Sequence, residues 1–286
     1  MEIGYFNGEF VSIDANVIPI EDRGYQFGDG VYEVIRVYRG TPFLLEEHLL
    51  RLEKSASAIS MSLPHSLEEL KRLAEEGVRR SNLDEAEIYI QVTRGIHPRQ
   101  HLFPDVSPSL SMTIRKVRSI PAEHYRNGVK VLLMNDERWL NCHIKSLNLL
   151  PNVLAKQFAS SKGCYEAILV RDNVVTEGTS ANVFAVKDGG IFTSPLSKKI
   201  LSGITRKAIV DLVAKMGLPL TEEEMTPQFL KEADEVFLTS TVIEVLPVRQ
   251  IDDKVIGNGK PGELTTRLHE RYRHIVDNAV NKINAQ

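Results

Sequence analysis

The sequence predicts an α+β chain of two domains, each a mixed sheet flanked by helices. Three observations predict this. A length of 286 residues exceeds what one simple core usually holds. Segments whose apolar residues alternate are interspersed with segments whose apolar residues recur every three or four positions, without a regular βαβ beat. That pattern suits mixed sheets better than a doubly wound one. Finally, "RSIPAEHYRNG" (118–128) carries a proline, a glycine and several charges and reads as a linker. The division is then a smaller N-terminal domain, 1–118, and a larger C-terminal domain, 119–286.

The elements follow in order. "GEFVSIDANVIPI" and "VYEVIRVYRG" read as short strands and turns with rough alternation. In "LLEEHLLRLEKSASAIS" the period changes: Leu45, Leu49, Leu52, Ala56 and Ile59 form a helix stripe. A second helix starts at Ser66, where Ser66 and Glu69 fit a capping box. Strands follow at "AEIYIQVTRG" and "SLSMTIRKV". After the linker come the strand "VKVLLMN", the helix "LLPNVLAKQFASSKG", and the strands "YEAILVRD", "NVFAVKD" and "GGIFTSP". The helix "GITRKAIVDLVAKMG" ends on a glycine. "ADEVFLTSTVIEVLPVRQI" reads as two strands around a polar turn, and "ELTTRLHERYRHIVDNAVNKI" as an amphipathic helix.

Composition excludes several classes. Hydrophobic content of 42% and charged content of 26% fit a soluble globular chain. A net charge of −3 gives no basic footprint for nucleic acid. No apolar run approaches the roughly 20 residues of a membrane span, and "MEIGYFNGEF" has neither the basic head nor the apolar core of a signal peptide. Two cysteines, Cys142 and Cys164, fit a reducing cytoplasm. "GDGVYE" has Gly28 and Gly30 but Glu33 where a dinucleotide loop needs its third glycine. His269 and His274 are five apart, where two ligands on one helix face want four, so a solvated face is expected and no metal. Adjacent Cys142 and His143 read as packing residues, since catalytic pairs are brought together by the fold.

Lys145 stands among apolar and amide side chains in "NCHIKSLNLL". A lysine amine attacks carbonyls when neutral, and burial or a nearby cation favours that form. A surface lysine before a helix is the plain alternative. A lysine that holds pyridoxal 5′-phosphate needs a carboxylate for the pyridine nitrogen and N–H groups, hydroxyls or an arginine for the phosphate. Glu177, between two predicted strands, could be the carboxylate. "LSGITR", which opens a helix with Ser202, Gly203 and Thr205, the turn at 239–241, and Arg51 near His48 could serve the phosphate.

Taken together and in this order, "EDRGYQFGDGVYEVIRVY", "HLLRL", "KSLNLL", "EAILVRDNVVTEGTSANVF" and "LSGITR" resemble the fold type IV pyridoxal-phosphate enzymes over nearly the whole chain. The resemblance implies that Lys145 is the Schiff-base lysine and general base, and that Glu177 holds the pyridine nitrogen. It implies that Arg51, Ile204, Thr205 and Thr241 hold the phosphate and that Leu201 packs beside the ring. It also implies a homodimer whose site lies between the two domains, with a neighbour subunit's loop nearby. Within the group, Arg99 and His101 of "QVTRGIHPRQHLFP" are two apart, a spacing that puts both on one face of an extended segment. An arginine there can grip a carboxylate with two hydrogen bonds. With Tyr32 they resemble the carboxylate trap of D-amino-acid aminotransferases. The implied reaction is ping-pong transfer between D-amino acids and 2-oxo acids, D-alanine and 2-oxoglutarate giving pyruvate and D-glutamate. A branched-chain L-amino-acid aminotransferase, an aminodeoxychorismate lyase, an (R)-amine transaminase or a cofactor-binding protein without turnover stay open. Arg138 and Trp139 have no role in this reading beyond packing.

Overall fold

In the computed structural model, which describes residues 1–284, the alternating segments pair into two separate sheets and the helical stripes cover them. The chain divides into two units. The first comprises residues 1–118, Ile144–Asn148 and the last helix from Asn278. The second comprises Ser119–His143 and Leu149–Asp277. Among the described residues no helix is long and apolar enough to cross a membrane.

The first unit contains β1 (Ile3–Phe6), β2 (Glu9–Ser12), α1 (Arg23–Phe27), β3 (Gly30–Tyr38), β4 (Thr41–Pro42), α2 (Leu45–Ala58), α3 (Leu67–Ser81), β5 (Ala86–Thr93) and β6 (Ser109–Lys116). Its strands run in the order β2-β1-β6-β5-β3-β4 with every pairing antiparallel, so parallel pairing is confined to the second unit. Within the stretch expected as short strands and turns, Glu9–Ser12 form the strand and residues 13–20 form none. The inward residues of β3 and β5, among them Ile35, Val37, Ile88 and Ile90, pack against Leu45, Leu49, Leu52 and Ala56 of α2 and Leu70, Ala74 and Val78 of α3. The capping box at Ser66 and Glu69 is present in both directions. The glycines of "GDGV" have backbone tasks. Gly28 ends α1 at φ 66°, and an added Cβ at Gly30 would meet the Val92 carbonyl at 2.6 Å.

The second unit contains α4 (Ala122–Asn127), β7 (Val129–Asn135), α5 (Leu150–Ser161), β8 (Glu166–Arg171), β9 (Val174–Gly178), β10 (Asn182–Lys187), β11 (Gly190–Thr193), α6 (Ile204–Lys215), β12 (Leu220–Glu222), α7 (Pro227–Lys231), β13 (Glu235–Ser240), β14 (Glu244–Ile251), β15 (Lys254–Val255) and α8 (Glu263–Asn284), whose end groups with the first unit. The strand order is β12-β11-β10-β13-β14-β7-β8-β9, with β15 on β14. β7 pairs in parallel with both β14 and β8, and β11 with β12; the remaining pairs are antiparallel. The expected linker is in part the helix α4, whose Tyr125, with Ile120 just before it, packs on the second core. The segment 144–148, expected in the C-terminal domain, belongs instead to the first unit, because its backbone hydrogen-bonds to β3.

One charged cluster fixes the loop after β5. Asp29 accepts from Arg23 Nε at 2.8 Å and from Arg94 Nε at 2.9 Å. Arg23 also donates to the Gln100 carbonyl at 2.6 Å, and Arg94 to the carbonyls of Ile59 and Ser60. Both arginines are buried. Removing the carboxylate leaves two buried cations unneutralised, and breaking a buried pair in this way costs about 3–5 kcal/mol. Asp29→Ala is therefore expected to lower the free energy of urea unfolding by about that amount. A loss below about 1 kcal/mol, the range of an exposed pair, contradicts this.

Candidate active site

Lys145 is placed by its backbone. Its carbonyl accepts from Tyr32 N–H at 3.0 Å, and Leu147 N–H donates to the Gly30 carbonyl at 3.1 Å, so Ser146 forms an antiparallel bridge with Val31. Lys145 N–H donates to Ser55 Oγ at 3.2 Å. The half-buried side chain brings its Nζ to 4.3 Å from the centre of the Tyr32 ring. Tyr32 stacks on Tyr89 with centroids 5.5 Å apart. Burial raises the Tyr89 phenol.

His48, Arg51 and Ser55 lie three and four residues apart on one face of α2. Arg51 grips Glu33 of β3 through Nε at 2.6 Å and a terminal nitrogen at 2.8 Å, and His48 Nδ1 is 2.7 Å from the same carboxylate. Burial alone would raise the Glu33 carboxyl. The Arg51 charge, then that of His48, overcomes burial and holds it well below the usual carboxylate range. Burial pushes the His48 imidazole down while Glu33 pulls it up. Glu33, the residue that spoiled the dinucleotide pattern, is thus the anchor that orients Arg51.

Arg99 and His101 are exposed on the loop between β5 and β6. Both meet Phe27: the Arg99 guanidinium is 4.5 Å from the ring centre and the His101 ring 5.6 Å away. The segment around them forms no strand, so the common Phe27 contact, and not the two-residue spacing, brings them together. No hydrogen bond or ring contact joins either to Tyr32 among the described residues, whose ring contacts are Tyr89 and Lys145.

In the second unit Glu177 lies within β9, not in a turn between strands, because Val174–Gly178 pairs with β8. Its carboxylate accepts from Arg138 at 2.6 Å, Asn182 Nδ2 at 3.1 Å and Leu201 N–H at 3.0 Å. Burial pushes it up to about 7 against the pull of Arg138. Arg138 is itself braced by Asp136, to which it donates from Nε and a terminal nitrogen, both at 2.9 Å. Asp136 also receives Thr176 Oγ1 at 2.9 Å and lies 3.1 Å from Arg171. A buried carboxyl poised near neutrality can hold a protonated ring nitrogen, whose charge would return it to the carboxylate. Arg138, Asp136 and Asn182 are the residues that sequence reasoning missed. The short stretches "DERW" and "TEG" give no local signal for a network that spans residues 136 to 201.

Leu201 is held on both sides, because its N–H donates to Glu177 and its carbonyl accepts from Asn182 at 3.0 Å. Two residues on, Gly203 caps α6 without a side chain, and an added Cβ would collide with Asn182. The first N–H groups of α6, at Ile204 and Thr205, have no side-chain cap, and such a helix end favours an anion. Thr205 is buried, and α6 packs beside β13. Thr241 sits in the turn between β13 and β14. Thr239, whose buried hydroxyl has no hydrogen-bond partner among the described residues, pairs opposite Asn182. Cys142 donates to the Trp139 carbonyl at 3.1 Å, and burial raises its thiol, as suits a packing residue.

The amino-transferase class IV family matches residues 30–251. The chain is 46% identical over 272 residues to a D-alanine aminotransferase of Bacillus licheniformis, covering 95% of this chain and 96% of that one. It is 44% identical over 275 residues to a D-alanine aminotransferase of Staphylococcus haemolyticus, covering 96% and 97%. Among solved structures it is similar to the branched-chain amino acid aminotransferase of Escherichia coli, with a TM-score of 0.88, 28% identity, and 94% and 92% of the two chains covered.

A carboxyl whose folded-state affinity for protons is depressed contributes stability that is complete above its unfolded value, about 4.3 for glutamate, and is lost as pH falls through the folded value. The advantage of the wild type over Glu33→Gln in urea unfolding is therefore expected to be full at neutral pH and to shrink below about pH 4.3. An advantage that grows on acidification contradicts this.

Proposed function

Because the chain belongs to the amino-transferase class IV family, we propose that it is a pyridoxal-phosphate-dependent aminotransferase that moves an amino group between D-amino acids and 2-oxo acids, D-alanine and 2-oxoglutarate giving pyruvate and D-glutamate. The observation that carries the reading is the likeness, along nearly the full length of both chains, to D-alanine aminotransferases. It is chosen over the branched-chain reading, to which the fold likeness alone would lead, because those sequences are less similar.

The residues present fit the cofactor: an amine on an aromatic floor, a buried carboxyl near neutrality and an uncapped helix end beside threonines. When bound, pyridoxal phosphate accepts electrons from the substrate α-carbon. Lys145 is assigned the covalent hold on the cofactor and, once displaced, the transfer of the α-proton. Glu177 holds the proton of the ring nitrogen, and Arg138 keeps Glu177 oriented and negative. Arg51, the N–H groups of Ile204 and Thr205, and Thr241 bind the phosphate, while Leu201 packs beside the ring. Tyr32, Arg99 and His101 hold the substrate carboxylate and so decide which enantiomer turns its α-hydrogen toward the lysine. The chain is read as a cytoplasmic homodimer, consistent with family membership and with its two free cysteines.

The test is the visible absorption of the purified protein with cofactor. D-Alanine is expected to bleach it and L-leucine to leave it unchanged. Bleaching by L-leucine alone would overturn the substrate assignment. Arg99→Ala is expected to retain the colour and lose D-alanine turnover by about a hundredfold, since hydrogen bonds to charged groups are worth roughly 1.5–3 kcal/mol each. Undiminished turnover would remove Arg99 from the trap.

A further inference from the structure

The hairpin turn that carries Thr241 is held from outside by two helices far apart in sequence. β13 and β14 close around residues 241–243 with Ser240 paired to Glu244. In a three-residue hairpin loop a residue near the closing pair takes the left-handed conformation, and glycine is the ordinary choice there. Here the residue is Glu244, at φ 55°. A side chain at such a position carries a steric cost that glycine avoids.

The glutamate side chain is buried and gripped. His269 Nε2 lies 2.9 Å from one carboxylate oxygen, and Arg273 donates to the other at 2.7 Å. These residues are four apart on α8, so they share a face. His269 is therefore not part of a solvated face, as its sequence context suggests. It also stacks on Tyr125 of α4, with ring centres 4.8 Å apart and planes inclined by 13°. The Tyr125 hydroxyl donates to the Ile243 carbonyl at 3.2 Å. The turn is thus fixed at two consecutive residues, once through its backbone and once through a side chain. Ladder hydrogen bonds would keep the hairpin paired with glycine at 244. What they leave adjustable is the position of the tip, and a strained residue retained under such a grip points to a positioning task.

We propose that Glu244, held by His269 and Arg273 with Tyr125 beside them, is a positioning group that sets the Thr241 turn for the phosphate of the cofactor. This rests on the reading of Thr241 as a phosphate ligand. The clasp acts on the phosphate seat alone, so it contributes to binding of pyridoxal phosphate and not to binding of pyridoxal.

The test compares full-length wild type, Glu244→Gly, Tyr125→Phe and Thr241→Ala after removal of cofactor. Binding of pyridoxal phosphate and of pyridoxal is titrated by visible absorption. Glu244→Gly removes the clasp and relieves the backbone; it is expected to bind pyridoxal phosphate about tenfold more weakly, the scale of a lost coupling contact, with pyridoxal unchanged. Tyr125→Phe keeps the stack, deletes only the hydroxyl, and is expected to shift the same preference by a smaller factor. It carries the test should the glycine variant not fold. Equal loss for both ligands, or loss for neither, while Thr241→Ala does shift the preference, overturns the clasp. An unchanged preference in Thr241→Ala overturns the phosphate reading of Thr241, and the clasp with it.

Discussion

The antiparallel pairing of residues 145–147 with the start of β3 is the constraint on which the rest of the site depends. A lysine on a free loop would be one more solvated cation. Here Tyr32 N–H and the Gly30 carbonyl fix the backbone on either side of Ser146, Ser55 takes the Lys145 N–H, and the amine is left over the Tyr32 ring. Gly30 makes that approach possible, because a side chain there would strike both Val92 and Leu147. The same strand carries Glu33, which orients Arg51. One nine-residue strand therefore sets the amine, its aromatic floor and the Arg51 guanidinium.

Two buried glutamates show how environment assigns different tasks to one residue type. Glu33 has Arg51 and His48 against it and stays ionised far into acid, which suits an anchor. Glu177 has one arginine and is drawn up to about 7, which suits a group that shares a proton. The difference is in the neighbours: the cation beside Glu177 is itself largely engaged by Asp136, whereas Arg51 is directed at Glu33 with two nitrogens. Groups whose environments push them apart in this manner are the usual sign of divided roles.

Much of the fold was legible because its signals are local. The stripe of α2, the capping box of α3 and the alternation of β5 each lie within one short window, and each formed. Short elements stabilised by distant partners were not legible. β12 exists because it pairs with β11, and α4 because its Tyr125, with Ile120 just before the helix, docks on the second core. The same limit holds in the candidate site. Arg99 and His101 meet at the Phe27 ring on a loop that forms no strand, so their two-residue spacing did not encode that contact. The membership of residues 144–148 in the first unit, the grip of Arg138 on Glu177 and that of His269 on Glu244 depend on contacts spanning 25 to more than 100 residues, which no periodicity encodes.

In the proposed function everything turns on the amine of Lys145. Its most direct test is borohydride reduction of the protein with pyridoxal phosphate bound, followed by peptide mass mapping. A stable phosphopyridoxyl group is expected on Lys145 and on no other lysine. A label on a different lysine, or no covalent label in protein that retains the cofactor, would contradict it.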